Sequence, residues 1–436
     1  MEIQELAFWP LLALARRAPE EPGWRIAVQA WRAANLGRGT PFAVLFGGDD
    51  PPRREPSGRT YHVFDQRGLA VWRSGWTREA QLVALATGPA PGTTHADANQ
   101  LLLWANGQPL VSDTGDLTTP GSEWHNTVLV DGRGQLMPAQ RPVPGASLDA
   151  AWLSEVGGCF VGEASGAYPP EAGVRSFTRH VGFAGGYCVV WDVLAAEQPV
   201  AWEWRLHTPG PLTTLDGGRA QLGDPPGGLV VHALRPDRLQ LATEEAREKA
   251  DGPLVARRLR LTTNAPVART QFLVVLASTA DGATEAPGAT LMTDEDTVGA
   301  TLRLPGGQEE DVLFPTQDRG IVLPNLICDA GYLALRRDGR GQWTQLIVRR
   351  VTRLLVPGGE LLSSTQPVDV ALLADGENVR GEIDSATGAT VTLRCPFRPW
   401  NVLVDGQPAR ARLTRPERLA AVRLTSGRHQ VWVSAR

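Results

Sequence analysis

The feature that most constrains this fold is a repeated alternation of short apolar runs with turn residues, from Tyr61 to the end of the chain. Runs rich in Val, Leu, Thr and Trp, such as GLAVWRSGW, YCVVWDVL and QFLVVLAS, are separated by Gly, Pro and Asp-Gly pairs. No window in this part keeps helical periodicity for about twelve residues. The pattern is typical of strands joined by tight turns, and it predicts a mainly β fold of large antiparallel sandwich sheets.

Composition divides the chain into three parts. Residues 1 to about 36 carry helical spacing in two short segments, and GGDDPPRREPSG at 47–58 has the composition of a linker. We predict a short helical segment at 1–55, a β-sandwich at 56–300 and a smaller β domain at 301–436. The apolar run after Met1 has no basic residue before it and no cleavage site after it, which predicts a cytoplasmic protein. A periplasmic or secreted protein is the alternative.

Charge and cysteine content argue against several classes of protein. The formal net charge is −4 and there is no long basic run, so we predict no nucleic-acid partner and no membrane span. The cysteines are far apart and lack CxxC spacing, which predicts buried free thiols. They are Cys159, Cys188, Cys328 and Cys395.

The stretch THADANQLLLWANGQPLVSDTGD, residues 94–116, is predicted to form a β-hairpin around an Asn-Gly turn. His95 and Asp113 frame this hairpin, and His125 follows in EWHN. Imidazole nitrogen and carboxylate oxygen suit Zn²⁺, and three protein ligands with an open position are typical of an accessible zinc site. The same residues also have a structural interpretation, in which each histidine only hydrogen-bonds and Asp113 caps a turn.

The register of the hairpin bears on whether these residues can meet. With a two-residue turn, Asp113 pairs with Gln100, which places Asp113 and His95 on opposite faces of the sheet. A longer turn with a bulge, or irregular backbone at His95 before the strand, would allow them to meet. The pattern leaves these arrangements open.

Several segments, taken together, resemble the β-sandwich signature of heparinase II/III-like polysaccharide lyases. They are RSGW at 73–76, HADANQLLLWANGQPLVSDTG and EWHNTVLVDGRGQ, with RHVGFAGGYCVVWDVL and WEWRLH following in the expected order. The resemblance covers about Thr60 to the C-terminus. It implies antiparallel sandwich sheets, β-elimination on uronic-acid polysaccharides, and a zinc ion held by His95, Asp113 and His125. The nearest polar partners of those ligands would be Asp97, Asn99 and Glu123.

Two departures from the family pattern concern activity. The family shows H-x-H-x-D, whereas Thr93 occupies the place of the first histidine, and threonine cannot act as an acid or base near neutral pH. The family's (α/α) toroid supplies a catalytic tyrosine, and only residues 1–55 could represent that toroid here. The resemblance therefore implies a lyase chain that is inactive alone, or half of a split enzyme whose toroid is a separate chain.

Elimination beside a uronic carboxylate needs a group that neutralises the carboxylate, a base and an acid. The candidates for proton transfer are Tyr168, in SGAYPPEAG, and His207, which closes WEWRLH. For Tyr168 we favour the alternative role of a loop anchor. Arg73 could bind a carboxylate, although we favour a turn anchor there as well. The remaining histidines, His62, His180, His232 and His429, are predicted to be structural or exposed.

The function that these observations predict is that of a heparinase II/III-like polysaccharide lyase chain with one Zn²⁺. Its partner would be an acidic polysaccharide or oligosaccharide. The alternative is a non-catalytic carbohydrate-binding or scaffold module, in which some of the 14 tryptophans would stack on sugar rings.

Overall fold

A computed structural model describes residues 59–88, 95–114, 119–137, 145–224, 227–247, 252–278 and 287–435. The predicted helical segment at 1–55 lies outside these residues, and so does Thr93. The described part consists of antiparallel strands and five single-turn 3-10 helices, with no α-helix. The prediction of a mainly β fold is confirmed. No helix in this part is long and apolar enough to cross a membrane.

The strands are numbered in chain order. They are β1 (Tyr61–Phe64), β2 (Leu69–Arg73), β3 (Leu82–Ala86), β4 (Gln100–Ala105), β5 (Gln108–Val111), β6 (Val128–Val130), β7 (Ser147–Leu153), β8 (Gly157–Glu163), β9 (Val174–Ala184), β10 (Tyr187–Val200), β11 (Trp202–Thr208), β12 (Leu212–Leu215), β13 (Arg219–Leu222), β14 (Leu229–Arg235), β15 (Leu239–Arg247), β16 (Leu254–Thr263), β17 (Val267–Ser278), β18 (Gly288–Thr293), β19 (Thr297–Leu304), β20 (Gln308–Pro315), β21 (Ile321–Leu323), β22 (Leu326–Cys328), β23 (Tyr332–Arg337), β24 (Trp343–Val356), β25 (Gly359–Ala374), β26 (Asn378–Ser385), β27 (Ala389–Arg394), β28 (Asn401–Val404), β29 (Gln407–Pro408), β30 (Ala411–Thr414), β31 (Leu419–Leu424) and β32 (Gly427–Ser434). The 3-10 helices are Asp65–Arg67, Ser122–Trp124, Ser165–Ala167, Pro170–Ala172 and Pro305–Gly307.

The strands form four sheets. A five-stranded meander runs β1-β2-β3-β4-β5, and a four-stranded sheet has the order β15-β16-β11-β6. An eight-stranded sheet has the order β12-β13-β14-β17-β10-β9-β8-β7. The remaining strands, β18 to β32, form a fifteen-stranded sheet. This last sheet begins at β18, so it includes strands on both sides of residue 300, and the predicted domain boundary there stays a prediction.

The sheets stack in layers, and the eight-stranded sheet is covered on both faces. In β17, Phe272 and Val274 face a core shared with the five-stranded and four-stranded sheets. Their neighbours Leu273 and Val275 face a second core, shared with the fifteen-stranded sheet. This two-sided burial explains the continuous apolar run QFLVVLAS, because a strand covered on both faces has no solvent side for polar residues.

A third core is formed by side chains of the fifteen-stranded sheet alone. Leu346, Val370 and Val431 are among its buried residues. The four cysteines are buried and free, which confirms that prediction. The site described next belongs to the first core, at the ends of β4 and β5 and before β6.

Candidate metal centre

The β4–β5 hairpin combines the predicted two-residue turn with a bulge. Residues 106–107 form the turn. Farther from the turn, Leu103 pairs with Val111, which shifts the register by one residue. His95 lies before β4 and Asp113 lies after β5, so both are in irregular backbone. The bulge and the irregular backbone remove the constraint that would place these two side chains on opposite faces.

Four side chains meet beside this hairpin. His95, Asp97, Asp113 and His125 each offer one ligand atom, and these atoms all lie within 4.8 Å of one another. The rings of His95 and His125 have centroids 5.1 Å apart. His125 is fully buried, whereas Asp113 is exposed. The structure thus brings the three predicted ligands together, and it adds Asp97, which the sequence suggested only as a partner of the ligands.

The hydrogen bonds of His125 determine which of its nitrogens is open. Nδ1 lies 3.0 Å from Oε1 of Gln100 and 3.0 Å from Oδ1 of Asp113. The backbone N–H of Asn126 also donates to Oε1 of Gln100, at 3.3 Å, so the amide oxygen faces the ring. Because both neighbours of Nδ1 are acceptors, Nδ1 carries the proton and Nε2 presents its lone pair.

That lone pair is available to bind a ligand. Nε2 of His125 is buried and has no hydrogen-bond partner in the described part of the chain. A buried polar atom without a partner is costly, and a metal-binding histidine typically donates its other N–H to an oxygen, as His125 does. The mixed nitrogen and oxygen donors, one of them an orphaned imidazole nitrogen, therefore fit a zinc ion.

The two carboxylates of the cluster add to this fit. Burial raises the pKa of Asp97 above its usual value, and the nearby carboxylate of Asp113 raises it further, while the imidazoles of His125 and His95 act in the opposite direction. Two carboxylates that share a half-buried site repel each other unless a cation lies between them. A divalent cation held by these residues would offset that repulsion.

Asn126 holds the segments of the cluster together. Its Nδ2 donates to the backbone carbonyls of Leu101 and Ser112, each at 2.9 Å. Its Oδ1 accepts from the backbone N–H of His207 at 2.7 Å. The side chain thereby joins β4, the residue before Asp113, and β11. Asn126 and Gln100 were not among the residues predicted from the sequence, although a polar residue that directly follows a candidate ligand could have signalled Asn126.

The loop that carries His95 and Asp97 is also fastened on both sides. Oε1 of Gln135 accepts from the backbone N–H of Ala98 at 2.8 Å, and Nε2 of Gln135 donates to the Ala98 carbonyl at 2.9 Å. The backbone N–H of Ala96 donates to the carbonyl of Pro120 at 2.8 Å. The ligands thus sit on backbone that is already ordered, which lowers the entropic cost of binding an ion.

A buried ion pair holds the backbone next to the cluster. Arg179 and Asp192 pair across β9 and β10, with Nε–Oδ1 and Nη2–Oδ2 distances of 2.8 and 2.7 Å. Both side chains are fully buried. Nη1 of Arg179 donates to the backbone carbonyls of Asn99 and Asn126. These residues directly precede Gln100 and follow His125. Two opposite charges inside otherwise apolar strands could have revealed this pair in the sequence.

The two candidates for proton transfer are both engaged in other contacts. The hydroxyl of Tyr168 is buried and donates to the carbonyl of Val128 at 2.6 Å, and burial raises the pKa of Tyr168. Nε2 of His207 accepts from Nε of Arg258 at 2.8 Å. Burial, and then the charge of Arg258, hold the pKa of His207 well below its ordinary value. Each would have to break a buried hydrogen bond before it could exchange a proton with a substrate.

The remaining predicted residues serve the backbone or face the solvent. Nε of Arg73 donates to the Gly75 carbonyl at 3.1 Å, and its guanidinium lies 5.4 Å from the ring centroid of Trp76, which is the geometry of a turn anchor. The Asn99 side chain donates to two backbone carbonyls of β8 and β9. Glu123 is exposed, and its backbone carbonyl accepts from Arg205.

Comparisons with known proteins agree with this architecture. A family model described as heparinase II/III-like, C-terminal, matches residues 56–295, which is more than half of the chain. None of the curated proteins matches the sequence. The heparan sulfate lyase HepC from Pedobacter heparinus is 17% identical, with a TM-score of 0.51 over 68% of this chain and 48% of that chain.

A second solved structure gives a lower score. The chondroitin AC lyase of Streptomyces coelicolor A3 is 15% identical, with a TM-score of 0.47 over 97% of this chain and 58% of that chain. The chain thus spans about half the length of the solved structures it matches. At these identities the likeness to HepC shows a shared fold. Together with the match of the family model, it establishes that this chain belongs to the heparinase II/III-like family.

Proposed function

We propose that this chain is the β-sandwich portion of a polysaccharide lyase that binds one Zn²⁺ through His95, Asp113 and His125. Asp97 is the fourth side chain of the same cluster. The substrate would be a uronic-acid-containing polysaccharide, cleaved by β-elimination. The family match and the likeness in fold to a heparan sulfate lyase support the reaction class. The observation that carries the metal is the buried Nε2 of His125, which no other described residue satisfies.

The chemistry divides between the ion and the chain. When bound, Zn²⁺ would join the hairpin to the segment before β6 and would supply positive charge near the substrate carboxylate. The chain itself keeps His125 in the tautomer that leaves Nε2 available, because the amide oxygen of Gln100 lies 3.0 Å from Nδ1. It also excludes water from that nitrogen, since His125 is fully buried. The acid and base of the elimination would come from a helical toroid, within a longer chain or in a separate one.

A non-catalytic carbohydrate-binding module is the second candidate, and one observation favours it. Tyr168 and His207 are the two candidates for proton transfer, and both already form buried hydrogen bonds. A module of this kind would bind an acidic polysaccharide without cleaving it. Zinc, if present, would then only stabilise the sandwich.

Metal content tests the zinc site directly. The full chain, purified without a His tag, should contain about one zinc per chain by plasma emission spectrometry. His125→Ala should lose the metal, because the orphaned nitrogen is gone. His62→Ala is the matched control, since His62 is exposed, and it should keep the metal. A wild-type protein that unfolds cooperatively but holds no zinc would contradict the site.

Activity separates the two candidate functions. The chain is incubated with heparan sulfate and with chondroitin sulfate, and the absorbance of the unsaturated uronate product is followed. A rise that disappears in His95→Ala would support the lyase. No rise with either substrate, with or without an added toroid, combined with binding that survives a metal chelator, would support the carbohydrate-binding module instead.

A further inference from the structure

The charge of this protein is unevenly distributed along the chain. The formal net charge is −4 overall, yet residues 389–436 contain nine arginines and only two acidic residues, Asp405 and Glu417. We call residues 389–435, which carry strands β27 to β32, the terminal basic unit. Asp405 accepts a hydrogen bond from Nδ1 of His429 at 2.8 Å, so one of the two carboxylates of the unit is already engaged. A local excess of positive charge in an acidic chain indicates an anionic partner.

Most arginines of this unit face the solvent. Six of them are exposed, and none of the six forms an ion pair within the described part of the chain. They are Arg398, Arg410, Arg412, Arg415, Arg418 and Arg423. Elsewhere, arginines such as Arg179, Arg258 and Arg336 pair with carboxylates. The unit therefore offers guanidinium groups that have no carboxylate partner among the described residues.

The same unit displays two tryptophans. Trp400 is 58% exposed and Trp432 is 48% exposed, and they are the tryptophans among the large exposed hydrophobic residues of the described surface. The backbone N–H of Trp400 donates to the carbonyl of Ser434 at 2.8 Å, and Ser434 lies two residues after Trp432, so the two tryptophans come from neighbouring backbone segments. The guanidinium of Arg415 lies 4.1 Å from the ring centroid of Trp400.

Trp432 is held in place on an open sheet face. Its Nε1 donates to Oδ1 of Asn378 at 3.0 Å, which orients the indole. Arg380 is the residue directly opposite in β26. Residues directly opposite in an antiparallel pair share a face, with Cβ atoms about 5 Å apart. Arg380 is exposed and forms no ion pair among the described residues. An oriented aromatic ring thus lies beside an unpaired guanidinium.

We propose that the terminal basic unit, with the adjoining strand β26, is a second carbohydrate-binding surface, separate from the metal cluster. Trp432 and Trp400 stack on sugar rings, and Arg380 and Arg415 bind the carboxylate or sulfate groups of an anionic polysaccharide. A planar indole offers a large rigid contact area for a sugar ring, and a guanidinium binds such groups in a bidentate geometry.

The class of polymer rests on the proposed function, whereas the surface itself does not involve the metal. A single-stranded nucleic acid could also stack on tryptophan and pair with arginine. The fold shared with a heparan sulfate lyase favours a polysaccharide. Since the surface and the cluster use different residues, each can be disabled without the other.

The test is the affinity of the full chain for heparin and for chondroitin sulfate, measured by calorimetry in buffer with a metal chelator. Changing Trp400 and Trp432 together to alanine should weaken binding about tenfold, as expected for the loss of buried aromatic anchors. The pair Arg380→Glu and Arg415→Glu should weaken it by a similar factor and reduce its dependence on salt. His125→Ala should bind as the wild type does.

Matched controls lie outside the unit. Phe64 is 44% exposed, and Phe64→Ala should leave the affinity unchanged. Arg303 and Arg319 are exposed and form no ion pair among the described residues, so their joint change to glutamate should have a smaller effect than that of Arg380 and Arg415. The thermal unfolding of every variant is measured alongside its affinity, so that a variant that fails to fold is recognised.

Four outcomes would overturn the proposal. Unchanged affinity in the tryptophan variant removes the stacking surface. An equal loss in the Arg303 and Arg319 control would mean that only total charge matters. Tighter binding of single-stranded DNA of matched charge assigns the surface to nucleic acid. In a parallel titration with zinc in place of the chelator, binding that is lost in His125→Ala but kept in the tryptophan variant places the polysaccharide at the metal cluster, in which case this proposal fails and the proposed function stands.

Discussion

Two polar clusters adjoin each other in the first core, and they differ in how fully their atoms are used. Arg179 donates four hydrogen bonds, two to Asp192 and two to backbone carbonyls. His125, beside one of those carbonyls, has partners at Nδ1, but its buried Nε2 has none among the described residues. Both clusters take polar groups out of water, but in the described part of the chain the cluster of His125 leaves a buried nitrogen without a partner.

This difference in hydrogen bonding suggests different roles for the two clusters. A buried polar network whose bonds are complete adds rigidity and has no capacity left for a ligand. A buried nitrogen without a partner has a cost that a bound cation would remove. The Arg179–Asp192 pair therefore holds the backbone in place, and the four-residue cluster in front of it is where we propose that the ion binds.

The largest expected effect comes from breaking the complete cluster. Asp192→Ala leaves the guanidinium of Arg179 buried without its counterion, which should lower the free energy of unfolding by about 3–5 kcal/mol. Urea unfolding followed by circular dichroism measures it. The control is Glu360→Ala, which removes an ion pair with Arg353 whose side chains are 38% and 63% exposed and should cost less than about 1 kcal/mol. Similar losses in both variants would contradict the distinction.

A bound ion should stabilise the open cluster. With free zinc at about 100 times its dissociation constant, the free energy of unfolding of the wild type should rise by about 2.7 kcal/mol. His125→Ala should show no such rise, because it lacks the open nitrogen. Thermal unfolding in zinc buffers measures both proteins. Equal stabilisation of the two proteins would place the ion elsewhere.

A third histidine, His180, extends the comparison because its ring packs against aromatic side chains. His180 stacks on Trp191, with centroids 4.5 Å apart, and also lies against Phe314. Burial lowers the pKa of His180 from 6.5 to about 4. Between these values the unfolded state binds more protons than the folded state, so this histidine should lower stability as the pH falls from about 6.5 to 4, by about 3 kcal/mol.

The substitution His180→Leu isolates this effect. The variant should lose less stability than the wild type when urea unfolding at pH 7 is compared with unfolding at pH 4.5. The comparison is made between the two proteins at each pH, so that contributions from other groups cancel. Parallel losses in the two proteins would show that His180 does not titrate in this range.

The smallest expected effect is at Arg73. Its hydrogen bonds are to backbone carbonyls of its own turn, so Arg73→Ala should lower the free energy of unfolding by about 1 kcal/mol or less. Zinc content and affinity for heparin should not change. A tenfold loss of affinity for heparin with intact stability would restore Arg73 as a substrate-binding residue.

The sequence alone determined the features that depend on neighbouring residues. The mainly β class follows from apolar runs and turn residues, and the turn at 106–107 follows from its Asn-Gly pair, because both are local preferences of the backbone. The order of motifs also pointed to His95, Asp113 and His125. Whole-chain composition was less informative about charge, since a net value of −4 conceals the basic C-terminal unit.

Only the tertiary structure decided how the site is assembled. The role of Asn126, the inclusion of Asp97 and the open nitrogen of His125 depend on a bulge in β5 and on contacts between β4 and the segment before β6. Likewise, Tyr168 lies in a loop by sequence, yet its hydroxyl is buried against the Val128 carbonyl. The physical reason is that hydrogen bonds between residues far apart in the chain are set by how the layers pack, and no local pattern encodes that packing.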